Sequence, residues 1–149
     1  MMKSRSEDIL VRPLKRSDAD QLVTLYNELT FGPKTARISD ICAVLAHPGT
    51  FIFGAEIDGR LVAMCTLHIL PNVTHDARPY ALIENVATTP KFQMRGIGRQ
   101  VMQAAIDAAW AQNTYKIMLL TGQKRGARGF YEALGFDCED KFGMVLRRA

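Results

Sequence analysis

Asp58 and Gly59 stand between two runs of strand-forming residues, 51–57 and 61–70, and both readily take the positive φ angles that a two-residue hairpin turn needs. The pair predicts an antiparallel hairpin. Its second arm, Leu61-Val62-Ala63-Met64-Cys65-Thr66-Leu67-His68-Ile69-Leu70, is nearly all apolar rather than alternating. Such a strand is expected to be covered on both faces, as in a sheet with helices on each side.

The rest of the chain supplies those helices. A first strand is expected at 9–14, followed by Ser17, which can cap a helix, with Asp20 answering it three residues later. Leu22, Leu25, Tyr26 and Leu29 then fall at helical spacing, and Phe31-Gly32-Pro33-Lys34-Thr35 breaks the pattern. A shorter helix is expected at 39–46 with Ile41, Val44 and Leu45 inward, ended by His47-Pro48-Gly49. After the hairpin come a strand at 80–88, Pro90, and a long helix at 95–111 that gathers Ile97, Val101, Ala104, Ala105 and Ala108 on one side. A short strand at 116–121, a helix at 127–134 stopped by Gly135, and a final strand at 141–146 complete the order. This is an α+β (mixed α/β) domain whose sheet is antiparallel at one end. At 149 residues, one domain over 1–149 is expected.

Nineteen Lys and Arg against fifteen Asp and Glu leave a net charge of +4, which favours anionic ligands without demanding nucleic acid. Lys91, Arg95, Arg99, Lys124, Arg125 and Arg128 cluster around two short segments, as a local anion site would require. No aromatic residues interleave with them in the pattern of a nucleic-acid-binding face, so no nucleic-acid partner is expected. Cys42, Cys65 and Cys138 are odd in number and widely spaced, and no histidine has metal-ligand spacing, so a reducing compartment and no metal are expected. No apolar run approaches membrane-spanning length and residues 1–8 lack a signal-peptide core, so the reading is cytoplasmic with no membrane partner.

The chemically informative stretch runs from Glu84 to Gly98: Glu84-Asn85-Val86-Ala87-Thr88-Thr89-Pro90-Lys91-Phe92-Gln93-Met94-Arg95-Gly96-Ile97-Gly98. It passes from a strand through a turn into a helix. The first amides of a helix lack intrahelical partners and the helix dipole is positive there, so a phosphate at that end is stabilised. Glycine keeps side chains from holding the anion away. A P-loop would need Lys-Ser or Lys-Thr after the glycine, but Arg99 and Gln100 follow Gly98. A dinucleotide fingerprint would need a third glycine and a place after the first strand. Two glycines that merely begin a helix remain the bland alternative.

At this point the chain resembles a family. Gln93-Met94-Arg95-Gly96-Ile97-Gly98 is similar to the Gln/Arg-x-x-Gly-x-Gly/Ala acyl-CoA pyrophosphate motif of the GNAT N-acetyltransferase superfamily. Gly129-Phe130-Tyr131-Glu132-Ala133-Leu134-Gly135-Phe136 looks like its Phe-Tyr-x-x-x-Gly-Phe segment. The resemblance implies a single GNAT-like domain with a central, mostly antiparallel mixed sheet splayed between its fourth and fifth strands and helices on both faces. It implies acetyl-CoA as co-substrate, an amine-bearing acceptor, and backbone amides of Met94, Arg95, Gly96, Ile97, Gly98 and Arg99 around the pyrophosphate. Main chain of Val86, Ala87 and Thr88 would pair with the pantetheine arm, which is peptide-like and can add to an open strand edge. Family members often pair, so a homodimer is among the expectations.

Acetyl transfer to an amine needs the amine neutral, the tetrahedral oxyanion stabilised and the departing sulfur protonated. In similar enzymes a Glu on the fourth strand serves as general base, which implies Glu84; a carboxylate paired with Arg78 is the structural alternative. The matching tyrosine acts as general acid, which implies Tyr131, although a core tyrosine would look the same from spacing alone. The oxyanion donor would be a backbone amide near Val86. Where the family often has Asn seven residues before the tyrosine, this chain has Lys124, which could approach a CoA phosphate. His68 and His75 are secondary candidates, and Cys65, mid-strand in an apolar run, is expected to be inert, which favours direct transfer over a ping-pong route. The rival from another class is a non-catalytic acyl-CoA-binding regulatory module.

Overall fold

The computed structural model describes residues 8–30 and 36–149, so the expected loop at 31–35 lies outside the described residues. The chain divides into a unit ending at Met118 and a smaller one, Leu119–Ala149. In the first unit β1 (Ile9–Pro13), β2 (Thr50–Ile57), β3 (Arg60–Leu70), β4 (Tyr80–Thr88) and β5 (Ile117–Met118) form one sheet in the order β1-β2-β3-β4-β5. Pairing is antiparallel from β1 to β4 and parallel between β4 and β5. Asp58 and Gly59 take φ of 50° and 78°, as the hairpin turn requires.

β3 is buried from Leu61 through Leu67, and successive residues show why. Met64 packs in a cluster with Leu22 and Leu25 of α1 (Ala19–Leu29) and Ile41 of α2 (Ile38–Ala46). Cys65, pointing to the opposite face, places its Sγ 3.9 Å from the Val101 carbonyl of α4 (Ile97–Ala111). The apolar run is therefore answered by helices on both faces. Between β3 and β4, α3 (Thr74–Ala77) is a single turn with His75, Asp76 and Ala77 all at positive φ.

The start of α1 differs from expectation. Residues Arg16–Asp18 form a 3-10 turn, and the side chain that closes it is Asp18, which accepts the Lys15 amide at 2.8 Å. Ser17 does not cap. Asp18 prevails because the Arg12 guanidinium of β1 grips it through two bonds of 2.9 and 2.8 Å while also reaching Glu56 of β2 at 2.9 Å. A carboxylate held by a charged fork is a stronger acceptor than a hydroxyl.

The smaller unit contains a 3-10 turn, Gln123–Arg125, and α5 (Arg128–Ala133). The strand expected at 141–146 is absent: these residues form no ladder, and Phe142 and Leu146 are essentially fully exposed. Likewise, of the strand expected at 116–121, only Ile117–Met118 pairs. Alternating Phe142, Met144 and Leu146 satisfy the strand pattern, but a strand needs a neighbour to receive its backbone groups, and Leu119–Ala149 holds no other.

The Asp18 carboxyl is held below its ordinary range, chiefly by hydrogen bonds from Arg12, with burial opposing. A lowered folded-state pKa means the stabilisation is complete above about pH 4, the ordinary carboxylate range, and is lost as pH falls through the lowered value. Asp18→Asn is expected to cost about 2 kcal/mol at pH 7, the scale of a charge-assisted bond, and to flatten the acid limb of stability. Urea unfolding at neutral and acid pH measures both, and an unchanged midpoint at pH 7 would contradict the assignment.

Candidate active site

The register between β3 and β4 contains an irregularity that organises the site. Met64 pairs with Ala87, but Thr66 pairs with Glu84, so two steps along β3 match three along β4 and one residue of β4 is extra. This is a β-bulge. Asn85 absorbs it at a φ of 53°, a left-handed conformation that Asn adopts more readily than most residues. Because of the bulge, Glu84 and Ala87 share the sheet face covered by α1 and α2: Glu84 lies opposite Thr66, and Ala87 packs on the cluster that holds Met64. Without the extra residue, their odd spacing would put them on opposite faces.

On its other edge β4 pairs with β5 only at Ala81 and Leu82. Among the described residues, the edge from Ile83 to Thr88, which includes Val86, Ala87 and Thr88, is unpaired on that side, so the backbone groups that alternate residues turn to it are open to an added strand-like ligand. The parallel pairing is anchored by Arg78, whose guanidinium donates to the Asn113 carbonyl at 3.2 Å and the Thr114 carbonyl at 3.1 Å. That engagement removes the alternative reading of Arg78 as the partner of Glu84, which is half-buried.

The turn into α4 is built by its own residues. Gln93 donates from Nε2 to the Thr88 carbonyl at 3.0 Å, closing the connection, so its side chain is a brace. Met94 takes a φ of 62° with its side chain fully exposed, and Gly96 takes 77°. The Gln100 amide donates to the Gly96 carbonyl at 3.2 Å, which leaves the Ile97, Gly98 and Arg99 amides ahead of the ladder at the positive end of a 15-residue helix. No atom lies within 4 Å of a Cβ built on Gly96; glycine is needed there for its backbone conformation. Arg95 lies over the Phe92 ring at 5.3 Å and Lys91 at 5.8 Å, adding positive charge beside the turn.

Glu84, Val86, Ala87, Thr88 and Gln93 to Arg99 thus follow one another along a single β4–α4 connection. Lys124 and Tyr131 belong to the smaller unit. Lys124 is exposed on the 3-10 turn, and Tyr131 is half-buried on α5 with its ring edge-on to Phe130 at 5.1 Å and to Phe136 at 6.3 Å. An ion pair between Arg128 and Glu132 spans one turn of the same helix. His75 stacks on Tyr115 at 3.9 Å and takes no place beside Glu84. His68 is on the Glu84 face, two residues along β3 from Thr66.

Sequence reasoning did not single out Asn85. The signal was present as an Asn inside an otherwise strand-like run, a residue poor in strands yet tolerant of positive φ. Among the described residues no three His, Cys, Asp or Glu side chains gather to hold a metal ion, and no helix is long and apolar enough to cross a membrane.

Comparison with known proteins places this arrangement. Residues 16–136 match the acetyltransferase (GNAT) family. The chain is 27% identical over 138 residues to a glucosamine 6-phosphate N-acetyltransferase of Trypanosoma brucei brucei, spanning 90% of this chain and 92% of that protein. Among solved structures it resembles a putative acetyltransferase from Agrobacterium tumefaciens, with 41% identity, a TM-score of 0.87, and 93% of this chain and 99% of that one covered. The fold also matches an aminoglycoside N-acetyltransferase in complex with CoA, at 19% identity and a TM-score of 0.83 over 99% of this chain and 100% of that one. The protein belongs to the GNAT family and is an N-acetyltransferase.

Burial pushes the Cys65 thiol up to about 12, so almost none of it is thiolate near neutrality and it is a poor nucleophile. Cys138 is exposed. Brief treatment of the folded protein with iodoacetamide at pH 8 is expected to label Cys138 and spare Cys65, as read by peptide mass spectrometry. Labelling of Cys65 at a comparable rate would reopen an acyl-cysteine route.

Proposed function

We propose that the protein transfers an acetyl group from acetyl-CoA directly to a primary amine of a small molecule or protein, within a ternary complex of enzyme, donor and acceptor. The observation that carries this reading is the bulge at Asn85: it puts the Glu84 side chain on one face while β4 runs on, with an unpaired edge, into the amide-rich start of α4. A peptide-like arm ending in a pyrophosphate fits such an edge and helix start in sequence. Val86, Ala87 and Thr88 pair with the arm; the backbone from Met94 to Arg99 receives the phosphates, with Gln93 holding the turn and Lys124 offered to a phosphate.

Glu84 accepts a proton from the ammonium form of the acceptor, directly or through water. The free amine then attacks the thioester carbonyl, whose developing oxyanion is met by a backbone amide near Val86. Collapse breaks the carbon–sulfur bond; Tyr131 gives its proton to the departing sulfur, which leaves as CoA thiol, and the tyrosinate is reprotonated by the second proton lost from the acylated nitrogen, leaving a neutral amide. The high proton affinity of the buried Cys65 thiol supports transfer without an acetyl-cysteine intermediate. A cytoplasmic location belongs to the same proposal, on the three free cysteines.

The names of the relatives suggest the first acceptors to try. Purified protein with acetyl-CoA is expected to release free CoA thiol with at least one member of a panel holding glucosamine 6-phosphate, an aminoglycoside, a polyamine and a peptide N-terminus. Tight acetyl-CoA binding with no release across the panel would count against transfer. Glu84→Gln is expected to lower kcat by about 10²-fold or more, the usual scale of acid–base catalysis, with KM for acetyl-CoA little changed. Tyr131→Phe is expected to slow the chemical step while preserving the fold by circular dichroism, and a wild-type rate in either variant would remove that residue from the mechanism.

A further inference from the structure

Two imidazoles share one hydroxyl on the Glu84 face of the sheet. His47, just past the end of α2, places Nδ1 2.9 Å from Thr50 Oγ1, and the same oxygen lies 3.0 Å from His68 Nδ1. Thr50 on β2 pairs with His68 on β3. His47 is exposed, Thr50 is 6% exposed and His68 is half-buried. The three line an open pocket of about 340 Å³ together with Ala43 and Val44.

A threonine hydroxyl has one proton to donate and lone pairs to accept. With both rings neutral, the geometry is satisfied when one Nδ1–H donates to Oγ1 and Oγ1–H donates to the other Nδ1. The two rings then have opposite tautomers, one with a bare Nε2 and the other with an Nε2–H. That is a continuous line of hydrogen bonds from a half-buried nitrogen to an exposed one.

The inner end lies near the proposed base. In the register of β3 and β4, His68 pairs with Leu82 and Thr66 with Glu84, so His68 and Glu84 are diagonal neighbours on one face, about 7 Å apart at Cβ. Between them Thr66 is 1% exposed, and its hydroxyl lies beside the Tyr26 phenol of α1, whose pKa it holds down against the upward push of burial. A water bridging His68 and Glu84 would draw on these two side chains and on the Thr66 and Tyr26 hydroxyls for its partners.

We propose that His68, Thr50 and His47 form a proton exit from Glu84 to solvent. The inference rests on the reading of Glu84 as the base. The proton that Glu84 takes from the ammonium passes through the water to His68 Nε2. His68 gives its Nδ1 proton to Thr50 Oγ1, the hydroxyl gives its own to His47 Nδ1, and His47 releases its Nε2 proton to bulk water. One proton enters and one leaves; a turn of the hydroxyl and the rings restores the starting polarity. Thr50 and His47 act through His68 and are positioning residues for proton movement.

Thr50→Val keeps the shape of the side chain and removes the shared hydroxyl. With the amine that turns over in the acceptor panel, this variant and His68→Gln are expected to show kcat lowered about tenfold, below the full loss of direct acid–base catalysis, with KM for acetyl-CoA unchanged. His47→Ala, at the exposed end, is expected to lose rate in dilute buffer and regain it with added imidazole, which a merely structural role would not produce. Nitrogen-15 NMR of the histidine side chains is expected to show opposite tautomers for His47 and His68 in the wild type, a difference that Thr50→Val abolishes. Wild-type kcat in Thr50→Val and His68→Gln, or identical tautomers in the two rings, would overturn the exit. Glu84→Gln measured alongside separates the two ideas: full turnover there removes the base and the exit with it, whereas loss there with wild-type Thr50→Val removes the exit alone.

Discussion

The short parallel pairing of Ala81 and Leu82 with Ile117 and Met118 is the constraint from which the site follows. Had the pairing continued, β4 would be satisfied on both edges and its backbone would have nothing to offer a ligand. Arg78 fixes the start of the pairing by holding the carbonyls of Asn113 and Thr114, and the Thr114 hydroxyl in turn donates to Ala109 at the end of α4 at 2.9 Å. The strand is therefore firmly held where it begins and free on one edge where Glu84 lies. The bulge at Asn85 acts on the same stretch from the β3 side, so both departures from regular pairing fall within a few residues of Glu84.

The α1/α2 face has its own anchor. Arg12 joins β1, β2 and the turn before α1 by bonding Asp18 and Glu56 at once, and burial of Leu22 and Leu25 against Ile52 and Met64 continues from there. Exposed ion pairs contribute little to stability, but Asp18 is almost wholly buried and also receives the Lys15 amide. The arrangement sets the direction in which α1 leaves the sheet. It also leaves the middle of the face, where Glu84 and Thr66 lie opposite each other, to be covered by α1.

Much of this was legible in the sequence, and the parts that were share a cause. The Asp58–Gly59 hairpin, α2 and β4 are specified by local chemistry: turn residues, helical spacing and apolar runs. The resemblance carried by Gln93 to Gly98 located the α4 start, though the Gln93 side chain turns out to brace Thr88. What failed depended on partners distant in sequence. Ser17 lost the cap to Asp18 because of Arg12 and Glu56, which no local pattern reveals. The alternation at 142–146 signals a demand for a strand neighbour and cannot supply one. His47, Thr50 and His68 were separately visible as a helix end, a strand start and a strand interior; only the β2–β3 register brings them to one oxygen.

The buried polar residues of the described chain are Asp18, Thr50, Thr66 and Thr114, and they divide by what engages them. Asp18 and Thr114 are consumed by backbone and guanidinium partners that define element ends. Thr50 and Thr66 lie on the sheet face that carries Glu84, one between two imidazoles and the other beside the Tyr26 hydroxyl of α1. A buried hydroxyl costs about 1–3 kcal/mol when unpaired, and these partners offset that cost. In the proposed exit Thr50 also carries the proton between the two rings, which needs a hydroxyl that both donates and accepts, while Thr66 helps to hold the water beside Glu84.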